Sequence, residues 1–172
     1  MQSLAEIRAY RQKYRPKGIL VDTCVMLLLL TGIFDEDEIG KARLTNSYSR
    51  IDFETAKTII SIFGKVIISP TVATELSNQV KNEYKGDKLS RFLEVAVSQM
   101  RNADEGHSTI KELLGSSELA VLPQLGFTDL SLYEIAVKEG VPLFTDDRRL
   151  NDFFQSRRVP SIKLTYLTLA AV

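Results

Sequence analysis

Gly18-Ile19-Leu20-Val21-Asp22-Thr23-Cys24-Val25-Met26-Leu27-Leu28-Leu29-Leu30 reads as a buried strand that ends on a carboxylate and turns directly into a helix. Ile19 to Val21 is short and apolar and is bounded by Pro16 and Gly18, the pattern of a central strand. Thr23 is suited to cap a helix, and Cys24 to Leu30 is apolar all round, as in a helix buried on every side. Asp22 is thereby expected at a strand-to-helix junction on the carboxyl edge of a sheet, where open α/β sheets bind ligands and metals.

The flanking sequence alternates in the same way. Leu4, Ile7, Tyr10 and Tyr14 fall at helical spacing and predict an amphipathic lead-in helix over residues 3–14. Thr31 to Arg50 is rich in turn formers and carries the acidic run Asp35-Glu36-Asp37-Glu38, which reads as solvated. Asp52 is expected to cap a helix bearing Ala56, Ile59, Ile60 and Phe63, after which Val66-Ile67-Ile68 reads as a second buried strand. Ser69 and Pro70 form an N-cap and first-turn pair for a helix striped by Val72, Leu76 and Val80, with Glu75 at the edge of that stripe. Further helices are expected over residues 88–100 and 109–114, with His107 in a loop between them, and a strand over 119–122 cut short by Pro123.

Thr128 is a natural N-cap for a helix running through Glu139 and closed by Gly140. Leu143 and Phe144 then read as a short buried strand whose carboxyl end carries Asp146 and Asp147. A helix over 148–156 and a closing strand over 161–167 complete the pattern. Strands alternating with helices imply a parallel sheet with right-handed crossovers and helices on both faces.

Composition bounds the function. With 172 residues, 44% of them hydrophobic and 26% charged, the chain has enough apolar material for one domain with a sizeable core. Lys plus Arg and Asp plus Glu both total 22, so net charge does not advertise a polyanion partner. One cysteine, Cys24, cannot form an internal disulfide, and the start of the chain lacks the apolar core of a signal peptide. The run after Asp22 is far shorter than the roughly 20 residues of a spanning helix. A soluble, cytoplasmic protein is expected. Ser-His-Asp or Cys-His catalysis would rest on His107 alone, and no glycine-rich P-loop or dinucleotide fingerprint follows any strand.

The acids carry the chemistry instead. Asp22, Glu75, Asp129 and the Asp146-Asp147 doublet all fall at or just beyond strand ends or helix starts, and a parallel sheet brings such ends to one edge. Carboxylates clustered without Lys or Arg are electrostatically unfavourable unless their pKa values rise or a divalent cation joins them. Ligands that are all oxygen suit Mg²⁺ or Mn²⁺ rather than Zn²⁺. Such an ion activates water and stabilises the charge that develops in a phosphodiester displacement.

Val21-Asp22-Thr23, Ser69-Pro70 leading to Glu75, Thr128-Asp129 and Leu143-Phe144-Thr145-Asp146-Asp147 together resemble the motif set of PIN-domain ribonucleases. The resemblance implies a three-layer α/β/α fold with a central, mainly parallel sheet, and Mg²⁺- or Mn²⁺-dependent cleavage of RNA. By motif position Asp22, Glu75 and Asp129 correspond to the family's first three catalytic and metal-binding acids. The fourth falls on Asp147 or Asp146, because the doublet leaves the register open; Asp147 is preferred. Thr145 corresponds to the supporting hydroxyl at the strand end, and Thr23, Thr145, Arg148 and Arg149 are the candidate substrate contacts, the arginines as bidentate phosphate holders.

On this reading residues 1–172 form a single PIN-like nuclease domain, with a helical lead-in over 1–17 and family-variable segments over 31–50 and 81–117. Toxin-type members imply an RNA substrate, an antitoxin or other protein partner, and a homodimer; RNA processing and host defence are the other roles. The alternative is a catalytically inactive module with the same fold that binds RNA or protein. Haloacid-dehalogenase-type chemistry wants a second aspartate where this chain has Cys24, and a receiver-type regulator wants its acidic pair at the first strand.

Overall fold

A computed structural model describes residues 10–168 of the chain. Positions 1–9 of the expected lead-in helix lie outside the described residues; Tyr10 to Tyr14 is helical. Five strands, β1 (Ile19–Val21), β2 (Val66–Ile68), β3 (Asp104–Glu105), β4 (Leu143–Thr145) and β5 (Ser161–Lys163), form one sheet in the order β3-β2-β1-β4-β5. Every pairing is parallel. The connecting helices are α1 (Thr23–Phe34), α2 (Arg50–Ser61), α3 (Pro70–Glu83), α4 (Gly86–Met100), α5 (Ile110–Leu114), α6 (Leu122–Glu139), α7 (Arg148–Ser156) and α8 (Leu164–Thr168).

The chain winds from β1 outward through β2 to β3, then returns to the other side of β1 for β4 and β5. Right-handed crossovers therefore put α1 to α4 on one face and α6 and α7 on the other, a three-layer α/β/α arrangement. The direction of winding reverses between β1 and β4. That reversal opens a crevice beyond their carboxyl ends, and it is the place such sheets reserve for ligands.

β1 is central because every one of its residues is fully buried, with a strand on each edge and helices on both faces. Leu20 pairs with both Ile67 and Leu143, and Val21 with Phe144, so β1 and β4 end level with each other. Gly18 enters the strand at φ +100°, and a Cβ there would lie 2.8 Å from the carbonyl oxygen of Lys65, so only glycine fits. α1 is buried from Val25 through Gly32, as its all-round apolar sequence predicts. It packs against α2, α3 and α4, and its Gly32 lets the Phe53 ring of α2 come into direct contact with its backbone.

Several boundaries differ from expectation. Leu119–Val121 is a 3-10 turn running into α6, and Pro123 occupies the first turn of that helix, where its missing N–H is harmless. The edge strand is instead β3, two exposed acidic residues with no apolar signal to betray them. The closing strand stops at Lys163, and Leu164–Thr168 is helical. α2 is capped by Ser49 rather than Asp52; Asp52, three residues on, completes a capping box with it. Gly140 closes α6 in the left-handed conformation, as expected. Among the described residues no helix is long and apolar enough to cross a membrane.

Candidate functional site

The carboxyl ends of β1 and β4 carry the first part of the site. Asp22 is the N-cap of α1, a place expected for Thr23; its Oδ1 accepts from the Thr23 N–H at 2.6 Å. Its other oxygen accepts from the Thr145 hydroxyl at 2.6 Å and from the Cys24 thiol at 3.2 Å. Thr145 in turn accepts the Asp147 N–H at 3.0 Å. Thr23 turns its hydroxyl outward and donates to Glu75 Oε2 at 3.2 Å, while Gln79, one turn further along α3, donates to Glu75 Oε1 at 3.0 Å. An unbroken chain of hydrogen bonds thus runs from Glu75 through Thr23, Asp22 and Thr145 to Asp147.

Asp129 arrives from the opposite face. α6 is kinked at Gly126, whose φ of 85° and ψ of 172° interrupt the helix four residues in. The break divides α6 so that Phe127, Thr128 and Asp129 open its second part, at the cleft. The helix expected to run through Glu139 therefore does begin here as a separate one, but its boundary is Gly126, two residues before Thr128.

Asp22, Glu75, Asp129 and Asp147 line one cleft of about 460 Å³, with Thr23, Cys24 and Arg149. Asp146 does not line it. Its Oδ1 faces the other way and accepts from the Thr165 N–H at 2.9 Å, from the Thr165 hydroxyl and from Lys163 Nζ at 3.4 Å. Asp147 faces the cleft and caps α7, accepting the Leu150 N–H at 3.0 Å. The two arginines separate similarly: Arg148 is highly exposed and pairs with Asp152 at 3.5 Å, whereas Arg149 lies on the cleft wall. Thr145 is fully buried, so its hydroxyl positions Asp22 and does not meet a substrate. His107 is exposed and lies away from the cleft lining.

Part of the cleft wall comes from a segment read only as variable. Arg43, Leu44, Asn46, Ser47 and Tyr48 line it, from the 3-10 turn Arg43–Thr45 and the residues after it. Arg43 is held in place by Glu83, whose Oε1 accepts the Arg43 N–H at 3.0 Å. Their sequence carried no sign of this beyond length: isolated polar residues among turn formers have no periodicity to read.

The PIN-domain family model matches residues 19–153, from the first residue of β1 into α7. This chain belongs to the PIN-domain family. No match was found among curated proteins. The PIN domain is a nuclease fold, and the matched span holds every acid of the cleft.

Within this PIN domain the acids feel one another. Burial, and then the charges of Asp22, Asp147 and Glu75, push the Asp129 carboxyl up to about 7, and only Arg149 pulls the other way. Burial raises Asp22 too; hydrogen bonds from Thr145, Cys24 and Thr23 hold it down, and Glu75 adds to the rise. The Cys24 thiol is driven well above its ordinary value by burial and by Asp22, so it stays a neutral donor to that carboxylate. Tyr48 is raised by burial and by its acidic neighbours, and remains a neutral phenol. Four carboxylates share the cleft with Arg149 and with Arg43, which is paired with Glu83, and such a set of oxygens is the donor set of a hard divalent cation, which relieves their repulsion. Among the described residues, however, no three His, Cys, Asp or Glu side chains close on one point as the ligands of a single ion would.

Proposed function

We propose that this PIN domain is a divalent-metal-dependent endoribonuclease that hydrolyses RNA phosphodiester bonds. The observation that carries the reading is the gathering of Asp22, Glu75, Asp129 and Asp147 in one cleft, where burial first and the neighbouring carboxylates second lift Asp129 to about 7. Asp22, Glu75, Asp129 and Asp147 would hold Mg²⁺ or Mn²⁺, with water filling the rest of the coordination shell. When bound, the ion supplies an activated water and neutralises charge on the phosphoryl oxygens.

The protein's own part is positioning. Thr145 and the Thr23 N–H fix the Asp22 carboxylate, and Thr23 and Gln79 fix Glu75, so two acids are preorganised before any ion arrives. Arg149 lines the cleft wall and would hold a phosphate oxygen of the strand being cut. Asp146 and Arg148, turned toward Lys163 and Asp152, act outside this chemistry. In the cell the reading is of a cytoplasmic enzyme, a toxin restrained by an antitoxin or an RNA-processing or defence nuclease, acting alone or as a homodimer.

Purified protein incubated with RNA and Mn²⁺ or Mg²⁺ should yield discrete fragments, and chelation should stop their formation. Asp22→Asn and Asp129→Asn should each lose cleavage while keeping the fold. Cleavage by both variants at the wild-type rate overturns the assignment. One observation favours a second reading, a PIN domain that binds RNA or protein without cutting: the absence, among the described residues, of three acids converged on one point. RNA binding indifferent to chelator, with no cleavage, is its signature.

A further inference from the structure

Seven of the eight phenylalanines of this chain are buried or packed against the core; Phe127 is 55% exposed and has no ring partner among the described residues. Burying such a ring stabilises a fold by roughly 1.5–3 kcal/mol, and what sets Phe127 apart from the other exposed apolar side chains is that it lines the acidic cleft. The backbone is built to hold it there. Gly126 takes a φ open to glycine and almost nothing else, yet a Cβ at that position would meet no atom within 4 Å. Crowding therefore does not demand the glycine; the turn that delivers Phe127 to the cleft does.

The neighbourhood narrows what the ring is for. Phe127 is two residues from Asp129 and shares the cleft with Arg149, whose guanidinium makes no hydrogen bond or ion pair among the described residues. Beyond Glu75, Gln79 and Thr128 the cleft continues into a shallow groove of about 580 Å³ along α3, lined also by Thr71, Asn78 and Asn82. A flat apolar face beside a cation, at the start of a polar groove whose one charged lining residue, Glu75, lies at its cleft end, suits a chain of bases and phosphates. A mononucleotide would leave the groove empty, and a protein would meet a lone ring set among charges rather than an apolar patch.

We infer that Phe127 is the stacking platform of the cleft: its ring receives one unpaired base beside the phosphate that Arg149 holds, while the strand continues along α3. This rests on the nuclease reading of the same cleft. Base–aromatic stacking tolerates any base but requires that it be unpaired, so Phe127 selects for strand state rather than for sequence.

The test is binding of a fluorescein-labelled, unstructured RNA of about ten nucleotides, a length typical of single-strand sites, measured by anisotropy in EDTA so that nothing is cut. Phe127→Ala should bind about tenfold more weakly and Phe127→Tyr nearly as well as wild type, in line with stacking energies from alanine substitution. In an abasic series, with one base deleted at each position in turn, wild type should show one position of sharp loss and Phe127→Ala should not. Equal affinity and the same abasic profile for wild type and Phe127→Ala overturn the stacking role while RNA cleavage by wild type leaves the nuclease reading intact. If wild type neither binds nor cuts RNA, both fall together.

Discussion

Thr145 at the end of β4 donates its hydroxyl to Asp22 at the end of β1 over 2.6 Å, joining residues 123 positions apart in the chain. Both are buried, so the bond is made out of water and Asp22 has little else to replace it with. It turns a register between two strands into the orientation of a carboxylate.

Thr145→Val keeps the shape and removes the donor. The buried Asp22 carboxylate then loses one hydrogen bond and the Asp147 N–H loses its acceptor, and stability should fall by about 2 kcal/mol at neutral pH. Urea unfolding of Thr145→Val beside Thr145→Ser measures it. The serine variant should recover most of the loss, because the hydroxyl alone is what Asp22 uses.

The raised Asp129 carboxyl makes the metal-free protein less stable as pH increases. Its value is 3.8 in an unfolded chain and about 7 in the fold, so its contribution to stability is complete below 3.8 and is lost as pH rises through 7. Because the group is partly open to water, the effect at pH 8 should be nearer 1 kcal/mol than the full shift suggests, or about 3 °C in Tm. Asp129→Asn should remove this slope and melt higher than wild type at pH 8 in EDTA. Added Mn²⁺ should stabilise wild type more than the variant.

The acidic doublet separates into two roles that substitution can tell apart. Asp147→Asn keeps an N-cap for α7 but removes a charge from the cleft, so cleavage should drop about a hundredfold or more with little change in stability. Asp146→Ala leaves Lys163, itself only 8% exposed, without that partner and should destabilise by about 2 kcal/mol. Denaturation midpoints and initial cleavage rates measured on the same samples distinguish the two.

Gly32→Ala probes the packing of α1 on α2. A Cβ at Gly32 would come within 2.5 Å of the Phe53 ring, and that ring is buried with nowhere to retreat. The expected loss is about 2–3 kcal/mol, read as a lower urea midpoint with an unchanged slope.

The layered fold was legible because its central strands are apolar, short and followed at once by helix caps. Ile19 to Val21, Val66 to Ile68 and Leu143 to Phe144 each announce themselves in this way. β3 did not, since an edge strand of Asp104 and Glu105 is held by its neighbour's backbone and needs no apolar side chain. Among the acids, Asp22, Glu75, Asp129 and Asp147 were readable as residues that reach one sheet edge. The direction in which Asp146 turns was not, because it depends on Lys163 and Thr165, contributed by β5 and the helix after it. Tyr48 and Phe127 were missed for a related reason: one sits among turn formers and the other follows a glycine at the junction of two helices.

The place of β4 in the sheet has a temporal consequence. β1 waits with one edge open until β4 leaves the ribosome, and only then do Thr145 and Asp147 come to lie beside Asp22. A chain whose synthesis stalls before Phe144 holds at most three of the four acids and an unpaired central strand, the kind of edge that quality-control proteases and chaperones recognise. The cleft is therefore complete only in a chain made through Asp147 and Arg149, and a shorter fragment lacks its fourth acid.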